Sequence, residues 1–482
     1  MIFLNIDRNH KKKYIYQQIY EEIKQNILER KLQAHEQLPS KRRLAKQLHV
    51  SVNSVTNAYE QLLAEGYIYA IERSGYYVEN ITQFIQKKNE TKSPLPDDLK
   101  EHELKKENWL SLSHMTADIS MFPFKQWMKC QQLALKHHEC ELSEITHPQG
   151  PYIVRKTIAQ VIARTRNVIC EPEQIVIGAG TQTLIHRLMD MFKKDTVIAI
   201  ENPGYARFYT LLKRIGFTVR PVRLDDKGIH MKHIIASQAN IVFVTPSHQF
   251  PTGKIMPITR RIELLNWAAQ SKHRYIVEDD YDSEFKYETD NIPSLHSLNR
   301  NQRVIYTGTF SKTLLPSFRI SYMVLPPHLL REYRKRYMDV IQGNNSLSLF
   351  TLHYFIQTGE YAKHIRRMTN HYEMKRKQLI KKLKSRFKQR IDIDDIPAGL
   401  HFLAHFYTDQ TYEAIEKRAE QERLEVYSMK RFTLQPNSER EKYKISLVIG
   451  FANIQKDQMN EAIERLDRII YPNQIVDQSN YS

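Results

Sequence analysis

Apolar positions near the start of the chain recur at about every fourth residue and then gather in two short segments rich in tyrosine. The first stretch carries isoleucine at every fourth residue, which predicts the buried stripe of one helix. These residues are Ile15, Ile19, Ile23 and Ile27. Ser40 and Ser51 are the predicted N-caps of a short second helix and of a third helix that stops at Gly66. The tyrosine-rich segments YIYAI and YYVEN then flank a turn with a glycine, which predicts a hairpin.

Helix, short helix, tight turn, helix and hairpin is the order of a winged helix-turn-helix, an α+β module that we assign to residues 1–80. Residues 81–110 change character, because they are charged and contain Pro94 and Pro96. We interpret this stretch as a semi-extended linker.

From about residue 111, short segments rich in Val and Ile alternate with stretches of helix length. The segments are QIVIGAG, TVIAIENPG, IVFVTPS, YIVEDDY, RVIYTGTFSK and ISYMVLP. The alternation predicts a large α/β domain with a mainly parallel sheet, which we place at residues 111–344. Residues 345–482 combine long basic helices with the strand-like AGLHFLAHF and KISLVIGF, and predict a smaller α+β lobe. Polar residues gather at the carboxyl ends of the large-domain strands, where open α/β sheets bind ligands.

Charge is distributed unevenly over the 482 residues, whose formal net charge is +18. A basic balance favours nucleic acid or another acidic partner. Residues 361–390, here called the basic segment, hold 12 Lys and Arg against a single acid. We expect this segment to expose a basic face that contacts DNA phosphates, although an ordinary solvated helix face is the alternative. The residues chosen to test it are Lys375, Arg376, Lys381 and Lys382.

Two classes of protein are disfavoured by the apolar pattern. The sequence has no run of about 18 apolar residues and no signal-peptide core, so we expect a cytoplasmic protein without a membrane segment. Cys130, Cys140 and Cys170 match no CxxC spacing, and we expect free thiols and no metal site.

The candidate chemistry lies around Lys312, which follows the strand RVIYTGT. Asp279 and Tyr281 close the strand YIVEDDY. A carboxylate at a strand end can keep a pyridinium nitrogen protonated, so that a pyridoxal ring acts as an electron sink. Tyr281 could bind the phenolic oxygen of that ring, and Tyr205 could stack on it. From the residues alone, Asp279 could equally cap a following helix, and Tyr205 could be a core aromatic.

An anion site is predicted beside Lys312. Thr181 and Gln182 follow the small residues Gly-Ala-Gly and open a helix, whose N–H groups suit a phosphate. Thr309 and Arg319 could add a hydroxyl and a bidentate guanidinium to the same phosphate.

Five motifs, in this order, resemble those of a fold-type-I aminotransferase: GAGTQ, ENPGY, TPSHQFPTG, EDDYDSEF and GTFSKTLLPSFRISY. The resemblance implies pyridoxal 5'-phosphate on Lys312 as an internal aldimine, with Asp279 at the pyridine nitrogen. It implies further cofactor contacts from Tyr281, Tyr205, Thr181, Gln182, Thr309 and Arg319. Many such enzymes have Asn where this chain has Phe250, so His248 or Gln249 would have to replace the contact with the phenolic oxygen.

LPSKRRLAKQL and VSVNSVTNAYEQLLAEGY resemble the GntR winged helix, and its fusion to an aminotransferase-like domain resembles the MocR subfamily. Within that subfamily the likeness is closest to members that respond to γ-aminobutyrate. The family usually has Arg where this chain has Val52. The resemblance implies a homodimer that binds a double-stranded DNA operator. The implied DNA-binding residues are Arg42, Arg43, Ser51, Asn53, Ser54, Asn57 and Arg73.

The ligand needs an anchor for the end that is not its amine. Arg431 in MKRFTL resembles the carboxylate-binding arginine of the C-terminal lobe, and Arg207 could reach the same carboxylate. Two arginines suit an acid several carbons from the amine. The resemblance implies γ-aminobutyrate, whereas spacing alone allows other ω-amino acids.

The predicted function is a transcriptional regulator, not an enzyme, that depends on pyridoxal 5'-phosphate and senses γ-aminobutyrate as an external aldimine. A catalytically active aminotransferase with an accessory DNA-binding domain is the alternative. A structural scaffold with a vestigial site is the third reading.

Overall fold

The computed structural model describes residues 13–81, 95–100, 108–115, 118–288, 293–435 and 443–472. The chain divides into two compact units, residues 1–104 and residues 105–482. Most of the predicted linker, 81–110, lies outside the described residues. In the described part of the chain, no helix is long and apolar enough to cross a membrane.

Three helices and an antiparallel hairpin make up the first unit, which confirms the predicted winged helix-turn-helix. They are α1 (Ile15–Leu28), α2 (Lys41–Leu48), α3 (Val52–Ala64), β1 (Ile68–Ile71) and β2 (Gly75–Val78). The predicted isoleucine stripe of α1 is buried at Ile19, Ile23 and Ile27.

Local hydrogen bonds begin the second and third helices. The Ser40 hydroxyl accepts from the Arg43 N–H at 3.3 Å, and the Ser51 hydroxyl accepts from the Ser54 N–H at 3.1 Å. Because these caps satisfy N–H groups that a helix terminus would otherwise leave unpaired, α2 and α3 begin where the serines stand.

The second unit has fourteen described strands and twelve described α-helices. The strands are β3 (Leu110–Ser111), β4 (Ile175–Ala179), β5 (Val197–Asn202), β6 (Thr218–Asp225), β7 (Gly228–Ile229), β8 (Ile241–Val244), β9 (Tyr275–Asp280), β10 (Val304–Thr309), β11 (Ile320–Val324), β12 (Ile391–Asp394), β13 (His401–Tyr407), β14 (Leu424–Glu425), β15 (Tyr427–Ser428) and β16 (Lys444–Gly450). The helices are α4 (Phe124–His137), α5 (Glu139–Leu142), α6 (Tyr152–Arg166), α7 (Thr181–Asp190), α8 (Ala206–Arg214), α9 (Met231–Ala236), α10 (Ile258–Ala269), α11 (Pro327–Tyr337), α12 (Ser346–Gln357), α13 (Glu360–Phe387), α14 (Tyr412–Gln421) and α15 (Met459–Ile470).

The main sheet has the order β4-β11-β10-β9-β8-β5-β6-β7. Neighbours from β10 to β6 are parallel, while β4, β11 and β7 join antiparallel. The six predicted segments are confirmed as β4, β5, β8, β9, β10 and β11. Strand β6 was missed, because near the sheet edge its Arg220, Pro221 and Arg223 interrupt the apolar run that marks a doubly buried strand.

The smaller lobe is an antiparallel sheet of order β12-β13-β16-β15, packed with α13, α14 and α15. Its core takes in Leu110 and Leu112, because β3 pairs with β14. Conversely, α12 packs against α4 and α6 in the core of the large domain. The lobe boundaries in space therefore differ at both ends from the sequence-based limits of 111–344 and 345–482.

The basic segment forms most of α13, and the expectation of an exposed, unpaired basic face is wrong for half of the residues chosen to test it. Lys375 is buried, and its Nζ donates to Asp118 at 2.9 Å and to the Ala452 carbonyl at 2.7 Å. Arg376 is buried and forms an ion pair with Asp395. These cations hold the fold together because their carboxylate partners come from distant segments, and they are not available to DNA.

Candidate functional site

Nine of the predicted residues line one cavity of about 190 Å³, here called the cavity, at the carboxyl ends of the main-sheet strands. They are Thr181, Gln182, Tyr205, Arg207, Asp279, Tyr281, Thr309, Lys312 and Arg319. They meet because β4, β5, β9 and β10 end at the same edge of the sheet, and because Arg319 directly precedes β11, which runs back beside β10.

Lys312 follows β10, and its amine points to the carbonyl oxygen of His114, to which Nζ donates at 2.6 Å. The side chain is half-buried, and this burial lowers the pKa of the Lys312 amine, against the opposing attraction of Asp282. A lowered pKa makes the neutral, nucleophilic amine more accessible near neutral pH.

Asp279 lies at the end of β9 and accepts a hydrogen bond from the Thr307 hydroxyl at 3.0 Å. Burial, reinforced by Asp280 and Asp282, raises the pKa of Asp279 to about 7 despite that hydrogen bond. A desolvated carboxyl of this kind is stabilised in its charged form by a cation placed beside it. The cavity thus has a position suited to a protonated ring nitrogen.

Hydroxyl groups cluster at the end of the cavity formed by the N-terminus of α7. Ser321 donates to Thr309 at 2.8 Å, and Thr309 donates to Ser311 at 3.0 Å. Gly180, with φ of 98°, leaves room for Arg319, because a Cβ there would overlap the Arg319 guanidinium. The helix N-terminus, the hydroxyls and the guanidinium form a cradle suited to a phosphate.

The loop after β8 corrects one sequence-based expectation. Phe250 lines the cavity, but His248 and Gln249 do not. The Gln249 amide donates to the Pro203 and Phe250 carbonyls and to Glu201. His248 lies 3.0 Å from the Tyr281 hydroxyl through its Nδ1. Neither residue replaces the contact that Phe250 lacks, because backbone and carboxylate partners outside the cavity hold both side chains.

Arg207 and Arg431 are exposed and line a wider opening of about 400 Å³, here called the mouth, which shares His114 and Tyr205 with the cavity. The segment after Arg431 reaches this place because the Gly204 N–H donates to the Phe432 carbonyl at 3.0 Å. Arg431 does not line the cavity itself, and its guanidinium lies 4.6 Å from the ring centre of Tyr427.

His114 connects the two ends of the site. Burial lowers its pKa to about 3, and the charges of Lys312, Arg431 and Arg207 lower it further in that order. His114 and Arg207 line both the cavity, which contains Lys312, and the mouth, which contains Arg431, so the two spaces adjoin at these residues. An anionic ligand at the mouth would be attracted by the guanidinium groups of Arg207 and Arg431.

The residues predicted to contact DNA lie on α2, at the start of α3 and in the turn of the hairpin. Exposed residues among them are Arg42, Arg43, Ser51, Asn53, Asn57 and Arg73. Ser51 and Ser54 differ, because their hydroxyls lie 2.9 Å apart within the cap of α3. These two serines therefore have a structural task, and DNA contact by any of the seven residues stays a prediction.

Some residues of the site were missed by the sequence analysis. Ser311 and Ser321 stand inside the motif that contains Lys312, so a closer reading of that motif would have found them. His114 and Met115 also line the cavity. They come from a loop far from the strand-end motifs, and no pattern in their neighbourhood indicates a site.

One group of metal-ligating side chains occurs within the described ranges, His248 with Asp282 and His401. His248 Nδ1 is engaged by Asp282 and Tyr281, and His401 Nε2 lies 3.1 Å from the Pro251 carbonyl. Protein partners thus account for Nδ1 of His248 and Nε2 of His401, whereas Nε2 of His248 is buried without a hydrogen-bond partner.

Comparison with known proteins agrees with the two units. Residues 15–78 match the family described as bacterial regulatory proteins, gntR family, and residues 108–466 match aminotransferase class I and II. The HTH-type transcriptional regulator YdeL of Bacillus subtilis strain 168 is 36% identical over 457 residues, which is 94% of this chain and 96% of YdeL. The probable rhizopine catabolism regulatory protein MocR of Rhizobium meliloti is 28% identical over 464 residues, covering 94% and 93%.

Solved structures show the fold of the second unit. The multiple substrate aminotransferase of Thermococcus profundus has a TM-score of 0.67 at 21% identity, over 77% of this chain and 96% of that one. The kynurenine aminotransferase of Pyrococcus horikoshii has a TM-score of 0.68 at 19% identity, over 82% and 99%. The chain therefore belongs to the family of HTH-type transcriptional regulators that join a GntR-type winged helix to an aminotransferase class I and II domain, the family of MocR.

Proposed function

We propose that this regulator holds pyridoxal 5'-phosphate at Lys312 and responds to an ω-amino acid, γ-aminobutyrate, whose carboxylate binds Arg207 and Arg431. The observation that carries the proposal is the joint lining of one cavity by a half-buried amine, a desolvated carboxyl and a phosphate cradle. The winged helix of the first unit would bind the operator.

The residues of the cavity fit the cofactor from one end to the other. When bound, pyridoxal 5'-phosphate supplies an aldehyde that captures amines and a ring that withdraws electrons. Lys312 would bind its aldehyde carbon, Asp279 its ring nitrogen and Tyr281 its phenolic oxygen. The phosphate would lie among Arg319, the cluster of hydroxyls and the N-terminus of α7. Tyr205, whose ring lies 5.8 Å from that of Phe250 at 87°, would cover the ring.

The ligand is proposed from the separate places of two kinds of group, since Lys312 lines the cavity and Arg431 lines only the mouth. The amine of the ligand would meet the cofactor at Lys312, while its carboxylate would meet the exposed arginines of the mouth. Likeness to the γ-aminobutyrate-responsive regulator GabR, in TPSHQFPTGKIMP and PSFRISYMVLPP, supports γ-aminobutyrate among the ω-amino acids.

A working aminotransferase is the second candidate function. The lowered pKa of the Lys312 amine favours it, because a neutral amine can carry protons between positions on a bound substrate. Incubation of the cofactor-loaded protein with γ-aminobutyrate and a keto acid tests it. Formation of the new amino acid would establish turnover, and its absence would leave a sensor.

The regulator is further proposed to be a homodimer that presents two winged helices to two half-sites, whose separation follows from the geometry of the dimer. Light scattering of the cofactor-loaded protein at micromolar concentration tests this assembly. A monomer would contradict it.

Replacement of the lysine is the direct test of the cofactor site. Lys312→Ala is expected to abolish the visible absorbance of the bound cofactor and the response to γ-aminobutyrate, because the amine that holds the aldehyde is gone. Binding of operator DNA should persist, since the winged helix folds with its own core. Lys272→Ala, at an exposed lysine that does not line the cavity, is the control. A band retained by Lys312→Ala would mean that the lysine is misassigned.

Loss of either arginine tests the ligand. Arg207→Gln and Arg431→Gln are each expected to weaken γ-aminobutyrate binding by about ten- to a hundred-fold, since a hydrogen bond to a charged group is worth about 1.5–3 kcal/mol. Spectral titration with the amino acid measures the change, and exposed Arg331→Gln is the control. If butylamine, which has no carboxylate, bound as tightly as γ-aminobutyrate, the arginines would not be its anchor.

A further inference from the structure

Tyr281 has a buried partner that does not line the cavity. His248 Nδ1 lies 3.0 Å from the Tyr281 hydroxyl and 3.0 and 3.2 Å from the two carboxylate oxygens of Asp282. The side chains of His248 and Asp282 are each only 2% exposed. The loop after β8 and the loop after β9 thus meet in a dry cluster directly behind a residue of the site.

The position of the hydrogen on His248 follows from these contacts. An ionised carboxylate has only acceptor atoms, so the Nδ1 beside Asp282 carries the hydrogen. A nitrogen that donates to Asp282 has no lone pair with which to accept from Tyr281. The Tyr281 oxygen therefore accepts a share of the Nδ1 hydrogen, and its own hydroxyl hydrogen is free to point elsewhere.

Packing keeps the His248 ring in this orientation. Gly399 has φ of 69°, and a Cβ there would overlap Cε1 and Nδ1 of His248. A Cβ at Gly253 would lie 3.3 Å from Nε2. Backbone therefore approaches both edges of the ring and limits its tilt, while the contacts of Nδ1 with Asp282 determine which edge of the imidazole faces Tyr281.

On the side that faces the cavity, the neighbour of Tyr281 is the apolar ring of Phe250. The rings of Phe250 and Tyr281 are 6.0 Å apart at 89°, and Phe250 brings no polar atom to this part of the cavity. The hydroxyl hydrogen of Tyr281, which does not point to His248, is thus the donor that this wall offers to an oxygen in the cavity.

We propose that Asp282 and His248 are positioning residues that make Tyr281 a hydrogen-bond donor to the cavity. Asp282 holds the hydrogen on Nδ1 of His248, and that N–H turns the Tyr281 hydroxyl hydrogen away from itself. The inference rests on the proposed function, in which the acceptor is the phenolic oxygen of pyridoxal 5'-phosphate. A donated hydrogen bond stabilises the anionic form of that oxygen and lowers the pH at which the bound cofactor titrates.

Other charged groups surround this cluster and stay in place in the variants that test it. They are Asp279, Asp280 and Glu201 around Tyr281, Lys312 near Asp282, and His401, whose ring centre lies 4.8 Å from that of His248. Because their field is common to all variants, these groups do not account for a difference between variants. The charge that Asp282→Asn removes acts on Lys312 as well, but its loss would lower the pKa of that amine, which is opposite to the rise expected from the hydrogen bond.

The test is a double-mutant cycle on the full chain loaded with pyridoxal 5'-phosphate, read as the midpoint of the pH titration of its visible absorbance. Asp282→Asn removes the need for a hydrogen on Nδ1, so Nδ1 becomes free to accept from Tyr281. It is expected to raise the midpoint by about one unit, as Tyr281→Phe does, given the strength of a hydrogen bond to a charged group. In the Tyr281→Phe background, Asp282→Asn should cause no further shift.

Two more variants complete the experiment. His248→Phe removes the N–H without changing the charge at Asp282 and offers Tyr281 no atom that could accept its hydrogen, so its midpoint should rise less than that of Asp282→Asn. His296→Asn, at a half-buried histidine that does not line the cavity, should leave the midpoint unchanged.

An unchanged midpoint in Asp282→Asn would overturn the inference, and so would shifts that add in the double variant, because Asp282 would then act without Tyr281. A wild-type protein that gained no visible band with the cofactor would refute the proposed function, and this inference with it.

Discussion

The two units hold their candidate functional residues in opposite ways. In the winged helix, exposed arginines and asparagines stand on helices that begin at local serine caps. In the second unit, Lys312, Asp279 and Tyr281 are half-buried, and the Lys312 amine donates to the carbonyl of His114, which is 198 positions away in the chain. Function and stability are therefore separable in the first unit and interdependent in the second.

The interdependence is strongest next to Asp279. Its neighbour Asp280 is buried and accepts hydrogen bonds from Arg166 Nε and from the Tyr306 hydroxyl, both at 2.6 Å. Arg166 also binds the Ser247 hydroxyl, in the loop that carries His248. Arg166 thus joins the end of α6 to the end of β9 and to the loop after β8.

Arg166→Met is expected to have the largest effect on stability, and a harmless substitution would contradict the comparison between the two units. It leaves Asp280 as a buried charge without its cation, and the free energy of unfolding of the second unit is expected to fall by about 3–5 kcal/mol. All three tryptophans, Trp109, Trp127 and Trp267, belong to the second unit, so denaturation followed by their fluorescence reports on it alone. Exposed Arg164→Met, on the same helix, should change stability by less than about 0.5 kcal/mol. A loss below about 1 kcal/mol for Arg166→Met would contradict the expected dependence.

The pH dependence of stability sharpens the contrast. Burial raises the pKa of Glu201 to about 7. The folded state then holds this proton more tightly than the unfolded chain, so stability is lost as pH rises from the unfolded pKa, near 4.5, through about 7. Glu201→Gln should gain about 2–3 kcal/mol relative to wild type between pH 5 and pH 8 in tryptophan-monitored unfolding. Buried histidines with lowered pKa act in both proteins and cancel.

In the first unit, we expect the stability to change with pH in the opposite direction. The hydrogen bond from Tyr20 lowers the pKa of exposed Glu65, so this carboxylate stabilises the fold above its unfolded pKa and loses that effect as pH falls. Glu65→Gln should therefore lose stability relative to wild type as pH rises through the acid range, measured by circular dichroism. The same sign for Glu201→Gln and Glu65→Gln would refute the contrast.

The smallest expected effect on stability is that of Arg42→Gln in the winged helix. Its side chain is exposed, so unfolding should change by less than about 0.5 kcal/mol. If Arg42 contacts a phosphate, operator affinity should nevertheless fall, and the salt dependence of binding should decrease by about one unit. Lys31→Gln, an exposed charge paired with Glu29 after α1, is the matched control. An unchanged salt dependence would remove Arg42 from the interface.

Local patterns determined much of what the sequence predicted. The period of the isoleucines and the two serine caps define the helices of the first unit, because caps and stripes depend on residues at most four positions apart. The apolar strands of the main sheet were found in the same way, and with them the strand-end residues Asp279 and Lys312, since parallel strands bring their carboxyl ends to one edge.

Tertiary structure alone decided where long-range packing places a polar side chain. Lys375 reads as a solvated charge in a basic helix, yet it is buried because Asp118, 257 positions away, lies against it. His248 belongs to the loop after β8, close to the cavity, but its side chain contacts Tyr281 and Asp282. His114 joins the site from a loop without a motif. Burial and pairing of these groups depend on elements that are remote in sequence, and a local pattern carries no record of them.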